Sequence, residues 1–172
     1  MKYFSSVALL ALSVSLVACG GGSSGSDAVV SAASSKPANV ASAEKGGVAT
    51  ASYDAGNAGL VNDGDTTTSN YWAGNAKNDY VEVEFAKTRS VSEFTVHTNA
   101  TNNTDTRIEF SEDGVTFTAV SLVSQCFSLS LGSNRIACTL ATKVKAKYVR
   151  VVVVASSGVG NRRIYEIEVT GK

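Results

Sequence analysis

Residues 80–85 read Tyr-Val-Glu-Val-Glu-Phe, with apolar and charged side chains in alternation. A period of two puts Val81, Val83 and Phe85 on one face and Glu82 and Glu84 on the other. Only an extended strand with one buried face satisfies that pattern. The alternation returns at Val91–Val96 after a polar turn at Lys87–Ser90, and again at Arg107–Ser111. It resumes at Val115–Val120 beyond the turn signal Glu112-Asp113-Gly114. Cys126–Leu131 and Arg135–Leu140 flank Gly132-Ser133-Asn134 as a hairpin. Tyr148–Val154 is an apolar run carrying one charge, Arg150, which suits a central strand covered on both faces; the arginine is expected to be paired. Ile164–Thr170 closes the chain. No segment holds a helical apolar period beyond one turn. These segments, about eight short strands, predict an all-β domain over 48–172, a β-sandwich or jelly roll.

The residues before that domain read differently. Lys2 precedes an apolar stretch, Val7–Ala18, that is shorter than the ~20 residues a bilayer core requires. Residues 1–18 therefore read as an export signal. Leu16-Val17-Ala18-Cys19-Gly20 resembles a bacterial lipobox, which implies that Cys19 takes a diacylglycerol; an ordinary secretory signal with an incidental cysteine is the alternative. Gly rather than Asp at position 20 implies, by the same resemblance, the outer membrane. The expected location is the bacterial cell envelope, with membrane contact through the N-terminal lipid only. Residues 19–47 are expected to form the lipidated cysteine and a Gly/Ser/Ala tether. That composition cannot bury enough apolar surface to offset chain entropy, and a flexible tether of this length reaches roughly 30 Å.

Export also bears on the other two of the three cysteines. Cys126 and Cys138 flank the predicted hairpin in an oxidising compartment, which predicts a disulfide; two buried free thiols are the alternative. Closing such a loop is worth on the order of 3 kcal/mol in the chain-entropy picture.

Several segments, in order, resemble the discoidin, or coagulation-factor type C, domain and its bacterial galactose-binding-like relatives, the carbohydrate-binding modules. Asn62-Asp63-Gly64-Asp65-Thr66-Thr67-Thr68 followed by Trp72 is similar to the family's acidic turn and tryptophan. Asp79–Phe85 with Val91–Val96 is similar to its paired strands. Phe110-Ser111-Glu112-Asp113-Gly114-Val115-Thr116-Phe117 is similar to its strand and Asp-Gly turn. Ala146–Val151 and Tyr165–Gly171 are similar to its last strands. The resemblance implies an eight-stranded jelly-roll β-sandwich whose loops at one end carry the binding site. Two departures matter. Ser69-Asn70-Tyr71 lengthen the loop before Trp72, and no arginine follows Val96 until Arg107, which argues against a galactose preference.

Asp63, Asp65 and Thr68 offer hard oxygens of the kind Ca²⁺ collects, though not at EF-hand spacing. The resemblance implies that Glu166 on the closing strand completes the set, giving a structural Ca²⁺. An Asp-Gly turn capped by its own side chains is the alternative. Sugar binding needs an aromatic platform and planar polar groups. The candidates on the implied loop end are Tyr53, Tyr71, Trp72, His97, Asn99 and Arg162. Trp72, the only tryptophan, is equally suited to the core. His97 can be a solvated strand end, and Arg162 can form a surface ion pair.

Lys+Arg and Asp+Glu are both 15, so no basic footprint points to nucleic acid. A single histidine and carboxylates spread over strand faces supply no nucleophile–base pair, so no enzyme is expected. The expected function is a surface-tethered, non-catalytic binding module for carbohydrate. An adhesion module for a protein or an anionic lipid headgroup is the alternative.

Overall fold

The computed structural model describes residues 37–99, 105–132, 134–154 and 162–172. The signal peptide, Cys19 and the tether up to residue 36 lie outside the described residues. Among those described, eight antiparallel strands form one continuous sheet that folds over into a sandwich. They are β1 (Val48–Ala51), β2 (Trp72–Gly74), β3 (Tyr80–Thr98), β4 (Thr106–Ser111), β5 (Thr118–Ala119), β6 (Cys126–Gly132), β7 (Arg135–Val153) and β8 (Arg162–Gly171).

The sandwich is built from a ribbon of two long strands. The first part of β3 pairs with β1 and with the last part of β7, which also pairs with β4. The second part of β3 pairs with β8 and with the first part of β7, which also carries β6. The ribbon changes layer where the register shifts between Glu84 and Arg89. Residues 85–88 of β3 there face only Lys147 of β7, and such a bulge bends a ribbon. The polar residues Lys87–Ser90, expected as a turn between two strands, are thus the bend of one strand. The expected strands Arg135–Leu140 and Tyr148–Val154 are likewise the two ends of β7.

Both layers turn their alternating apolar side chains inward. Val81, Val83 and Phe85 meet Phe94, Val96, Ile136, Ile167 and Val169 in one core. Phe94 and Phe110 pack edge to face across it, ring centroids 5.9 Å apart. Val115–Val120 departs from the expected strand. Only Thr118–Ala119 pairs, and Val115 is exposed, because Asp113 collects the Val115 and Thr116 N–H groups into a turn.

The folded region starts earlier than the expected boundary at 48. Val40 and Ala41 are buried, and Asn39 bridges Thr170. The Asn39 side chain accepts from the Val169 N–H at 2.8 Å and donates to the Ile167 carbonyl. Buried Asn62 donates to the carbonyls of Ala41 and Gly47. The Gly/Ser/Ala composition hid this segment, whose attachment combines asparagine and backbone hydrogen bonds with the burial of only two small apolar side chains, Val40 and Ala41. Cys126 and Cys138 are joined in a disulfide, as expected. It ties edge strand β6 diagonally to β7, since Cys126 lies opposite Leu140 and Cys138 opposite Leu129.

Candidate functional site

The connection from β1 to β2 and the one from β2 to β3 gather at one pole of the sandwich, beside the start of β8. Ser52 anchors the first of them. Its hydroxyl accepts from the Tyr80 N–H at 2.9 Å. Asp79 shapes the second by accepting from the Asn75 and Ala76 N–H groups at 2.8 and 2.7 Å. Gly74 has no room for a side chain: a Cβ would lie 2.6 Å from Val153 Cγ2. The short strand β2 can therefore seat against the end of β7 only with glycine there.

These segments enclose an open cleft of about 440 Å³ lined by Tyr53, Asp54, Asn57, Ser69, Tyr71 and Asn75, among others. Tyr53 is 48% exposed and presents the larger free aromatic face. Its backbone carbonyl accepts from Trp72 Nε1 at 2.7 Å. Trp72 itself is fully buried, which corrects its place among the ligand candidates. It is the floor that fixes the Tyr53 loop, because an indole N–H at a core edge needs an acceptor and finds it there. Tyr71 also lines the cleft but is half-buried. The Arg163 guanidinium lies 4.3 Å over its ring, and Tyr165 meets it edge-on at 6.5 Å.

The other candidates serve neighbouring parts of the pole and do not line this cleft. Asn99 Oδ1 accepts from the Arg163 N–H at 2.9 Å, holding the ends of β3 and β8 together. Arg162 Nη2 is 2.9 Å from Asp105 Oδ2. His97 Nε2 is 3.6 Å from Glu168 on the outer face of the second layer. The connections 100–104 and 155–161 lie outside the described residues.

The acidic turn and the closing strand do come together. Glu166 is buried, and its Oε2 accepts from the Gly64 N–H at 3.2 Å. Its Oε1 is buried without a partner. Burial pushes this carboxyl up to about 8; the Gly64 N–H opposes the shift, and the charges of Asp63, Glu168 and Asp65 add to it. Asp63 accepts from Asn70 and from the Asp65 N–H, and Asp65 Oδ1 accepts from the Thr67 N–H at 2.8 Å. With these bonds made, no three His, Cys, Asp or Glu side chains converge as a ready metal cage among the described residues.

Sequence reasoning missed Asp54, Asn57, Ser69 and Asn75 as lining residues. The one signal was composition. Asp54–Val61 mixes Asp, Asn and Gly with apolar residues in a form that reads as loop, whereas Ala55–Val61 is a 3₁₀ helix.

Residues 37–167 match the F5/8 type C domain. Solved structures share the fold. One is CpGH89CBM32-6 of Clostridium perfringens, with 17% identity and a TM-score of 0.62 over 78% of this chain and 100% of that one. Another is chitosan-binding module 1 of a chitosanase/glucanase from Paenibacillus sp. IK-5, with 21% identity and a TM-score of 0.56 over 78% and 99%. A third is the family 32 carbohydrate-binding module of Clostridium perfringens NanJ in complex with galactose, with 19% identity and a TM-score of 0.53 over 72% and 92%. At these identities the likeness is one of fold. No curated protein matches the sequence.

Proposed function

The chain belongs to the F5/8 type C domain family, and on that premise we propose that it is a non-catalytic carbohydrate-binding module whose ligand enters the Tyr53 cleft. The observation that carries this reading is the half-exposed Tyr53 ring beside the polar side chains of Asn57, Ser69 and Asn75. An aromatic face receives the C–H side of a sugar ring, and planar amides and hydroxyls pair its hydroxyl groups. Neighbours of this fold are a chitosan-binding module and a module solved with galactose, so the loops rather than the fold must choose the sugar. The lining has one carboxylate, Asp54, whereas glycoside hydrolysis ordinarily uses a pair. That supports binding over cleavage. The same carboxylate makes an anionic lipid headgroup the poorer occupant.

We propose also a structural Ca²⁺ at the acidic turn, whose binding would have to draw together Asp63, Asp65 and Glu166, which do not converge as a cage on their own. Glu166 Oε1 is buried and unpaired, and its charge is opposed by Asp63 and Asp65. A cation would remove both penalties. Asp63, Asp65, Thr68 and Glu166 would hold it, with turn carbonyls supplying further oxygens. It would supply charge neutralisation and a staple between the first loop and β8. Cys19 would carry the lipid that keeps the module at the outer membrane of a bacterial envelope.

The deciding experiment is a glycan-array screen of the full chain with and without Ca²⁺, repeated with Tyr53→Ala. Selective binding that the variant loses is the expected result. Binding unaffected by Tyr53→Ala would remove the cleft from the function.

A further inference from the structure

The cleft has a charge as well as a shape. Resting on the glycan-binding reading, the geometry points to a selectivity for sugars that carry a free amino group, held as an ammonium by Asp54.

Asp54 stands immediately before the 3₁₀ helix Ala55–Val61, in the N-cap position. An aspartate there ordinarily spends its carboxylate on the first free N–H groups of the helix. Asp54 does not. Its backbone is left-handed, φ 51° and ψ 49°, and its side chain makes no capping bond. Oδ2 accepts instead from Asn57 Nδ2 at 2.8 Å. The unusual backbone thus takes the carboxylate off the helix and leaves it on the cleft wall beside Tyr53. A non-glycine residue in this region is strained, and aspartate is among the few side chains that tolerate it.

The rest of the lining suits the same ligand. Among the described residues, Asp54 is the only charged one that lines the cleft. Asn57 gives its amide N–H to Asp54, so its carbonyl oxygen remains as a further acceptor. An ammonium has three donors and no acceptor, and carboxylate and amide oxygens are what it requires. A uronic or sialic acid would bring a second negative charge to Asp54. An N-acetylated amino sugar would present neither charge nor the extra donors.

The test is calorimetry on the full chain with two probes of equal length, the glucosamine tetramer and the N-acetylglucosamine tetramer, at about pH 6, where the free amines are charged. The expected result is roughly fivefold tighter binding of the glucosamine tetramer, as for an exposed ion pair, with the preference shrinking in high salt. Asp54→Asn preserves tolerance of the left-handed backbone and should make the two probes equal. Tyr53→Ala should weaken both. Equal or tighter binding of the N-acetylated probe to the unmodified chain would overturn the inference. So would an Asp54→Asn protein of unchanged Tm that loses affinity for both probes alike. If neither tetramer binds while galactose does, the inference fails and the glycan reading stands. If no sugar binds, the reading fails and takes the inference with it.

Discussion

Asn70 Nδ2 donates to both carboxylate oxygens of Asp63, at 2.9 and 3.2 Å, across seven positions of chain. Asn70 stands between Ser69 and Tyr71, which line the cleft, and Asp63 belongs to the turn that meets Glu166. The amide therefore couples the acidic turn to the wall of the cleft. Asn70→Ala should cost little stability, because the pair lies near the surface, yet should weaken glycan binding severalfold as the wall loosens. Paired melting and calorimetry measurements check this; an unchanged affinity would separate the turn from the cleft.

The cation proposal gives a second expectation. A ligand that binds only the folded state at a hundredfold excess over Kd adds about 2.7 kcal/mol, so chelation should lower the Tm by several degrees. Glu166→Gln removes a carboxyl that folding must protonate near neutral pH, because burial holds it up at about 8. It should melt above the unmodified protein in chelator and should show no response to added Ca²⁺. Identical melting of the unmodified protein with and without chelator would end the proposal.

Arg150 gives a third. Its guanidinium lies 3.5 Å over the Phe117 ring and 4.1 Å over Tyr80, and Nε and Nη2 donate to Glu82 Oε2 at 2.9 and 2.7 Å. This is the pairing expected of a charge inside an apolar run, with two aromatic faces added. Arg150→Ala should destabilise by about 2 kcal/mol, and Arg150→Met by less, because it keeps the stem that packs between the rings. Denaturant titration distinguishes the two; equal losses would show that the stem contributes no packing beyond what the charge and its partners supply.

Asp113 governs the acid limb of the stability curve. N–H groups of Thr116 and Val115 and the Ser111 hydroxyl hold its carboxyl down at about 2, against an ordinary 3.8. A carboxyl depressed in the folded state stabilises above its unfolded value and loses that contribution as pH falls through its folded value. The unmodified protein should therefore lose stability between about pH 4 and pH 2. Asp113→Ala should be less stable at neutral pH and should converge on the unmodified protein near pH 2. Melting curves that stay parallel over that range would contradict the assignment.

The disulfide closes a loop of the size for which the chain-entropy estimate is about 3 kcal/mol. Cys126→Ala/Cys138→Ala should melt roughly ten degrees lower, with hydrogen exchange rising first in β6, whose only paired neighbour among the described strands is β7. Uniform loss of protection across β3 and β8 would instead make the bridge a support of the whole core.

How far the sequence could be read follows from which faces are buried. Val81, Val83 and Phe85 announce their strand because one side packs and the other does not. Lys87–Ser90 cross from layer to layer where core burial largely lapses, so a continuous strand reads as a turn. The strands Val48–Ala51 and Trp72–Gly74 are too short to show a period, and the attachment of Asn39 relies on hydrogen bonds that leave no apolar pattern. Among the candidate residues, aromatic character singled out Tyr53 and Tyr71, which line the cleft, but could not tell Trp72 as floor from Trp72 as platform. That distinction depends on the Tyr53 carbonyl that the indole meets. Asp54 gave no signal at all, since its place on the cleft wall comes with a backbone angle.

The bridge between Asn39 and Thr170 has a mechanical consequence. The chain enters the domain beside the last residues of β8, whereas the cleft borders its first residues, where Arg162 and Ile164 pair with Gly74 and Trp72. About six residues of strand, roughly 20 Å, separate the two. If the N-terminus is anchored and a ligand sits in the cleft as proposed, a pull between them would run lengthwise along β8. Its hydrogen bonds to β3 take such a load together, in shear, instead of opening one after another as a strand does when peeled from its end.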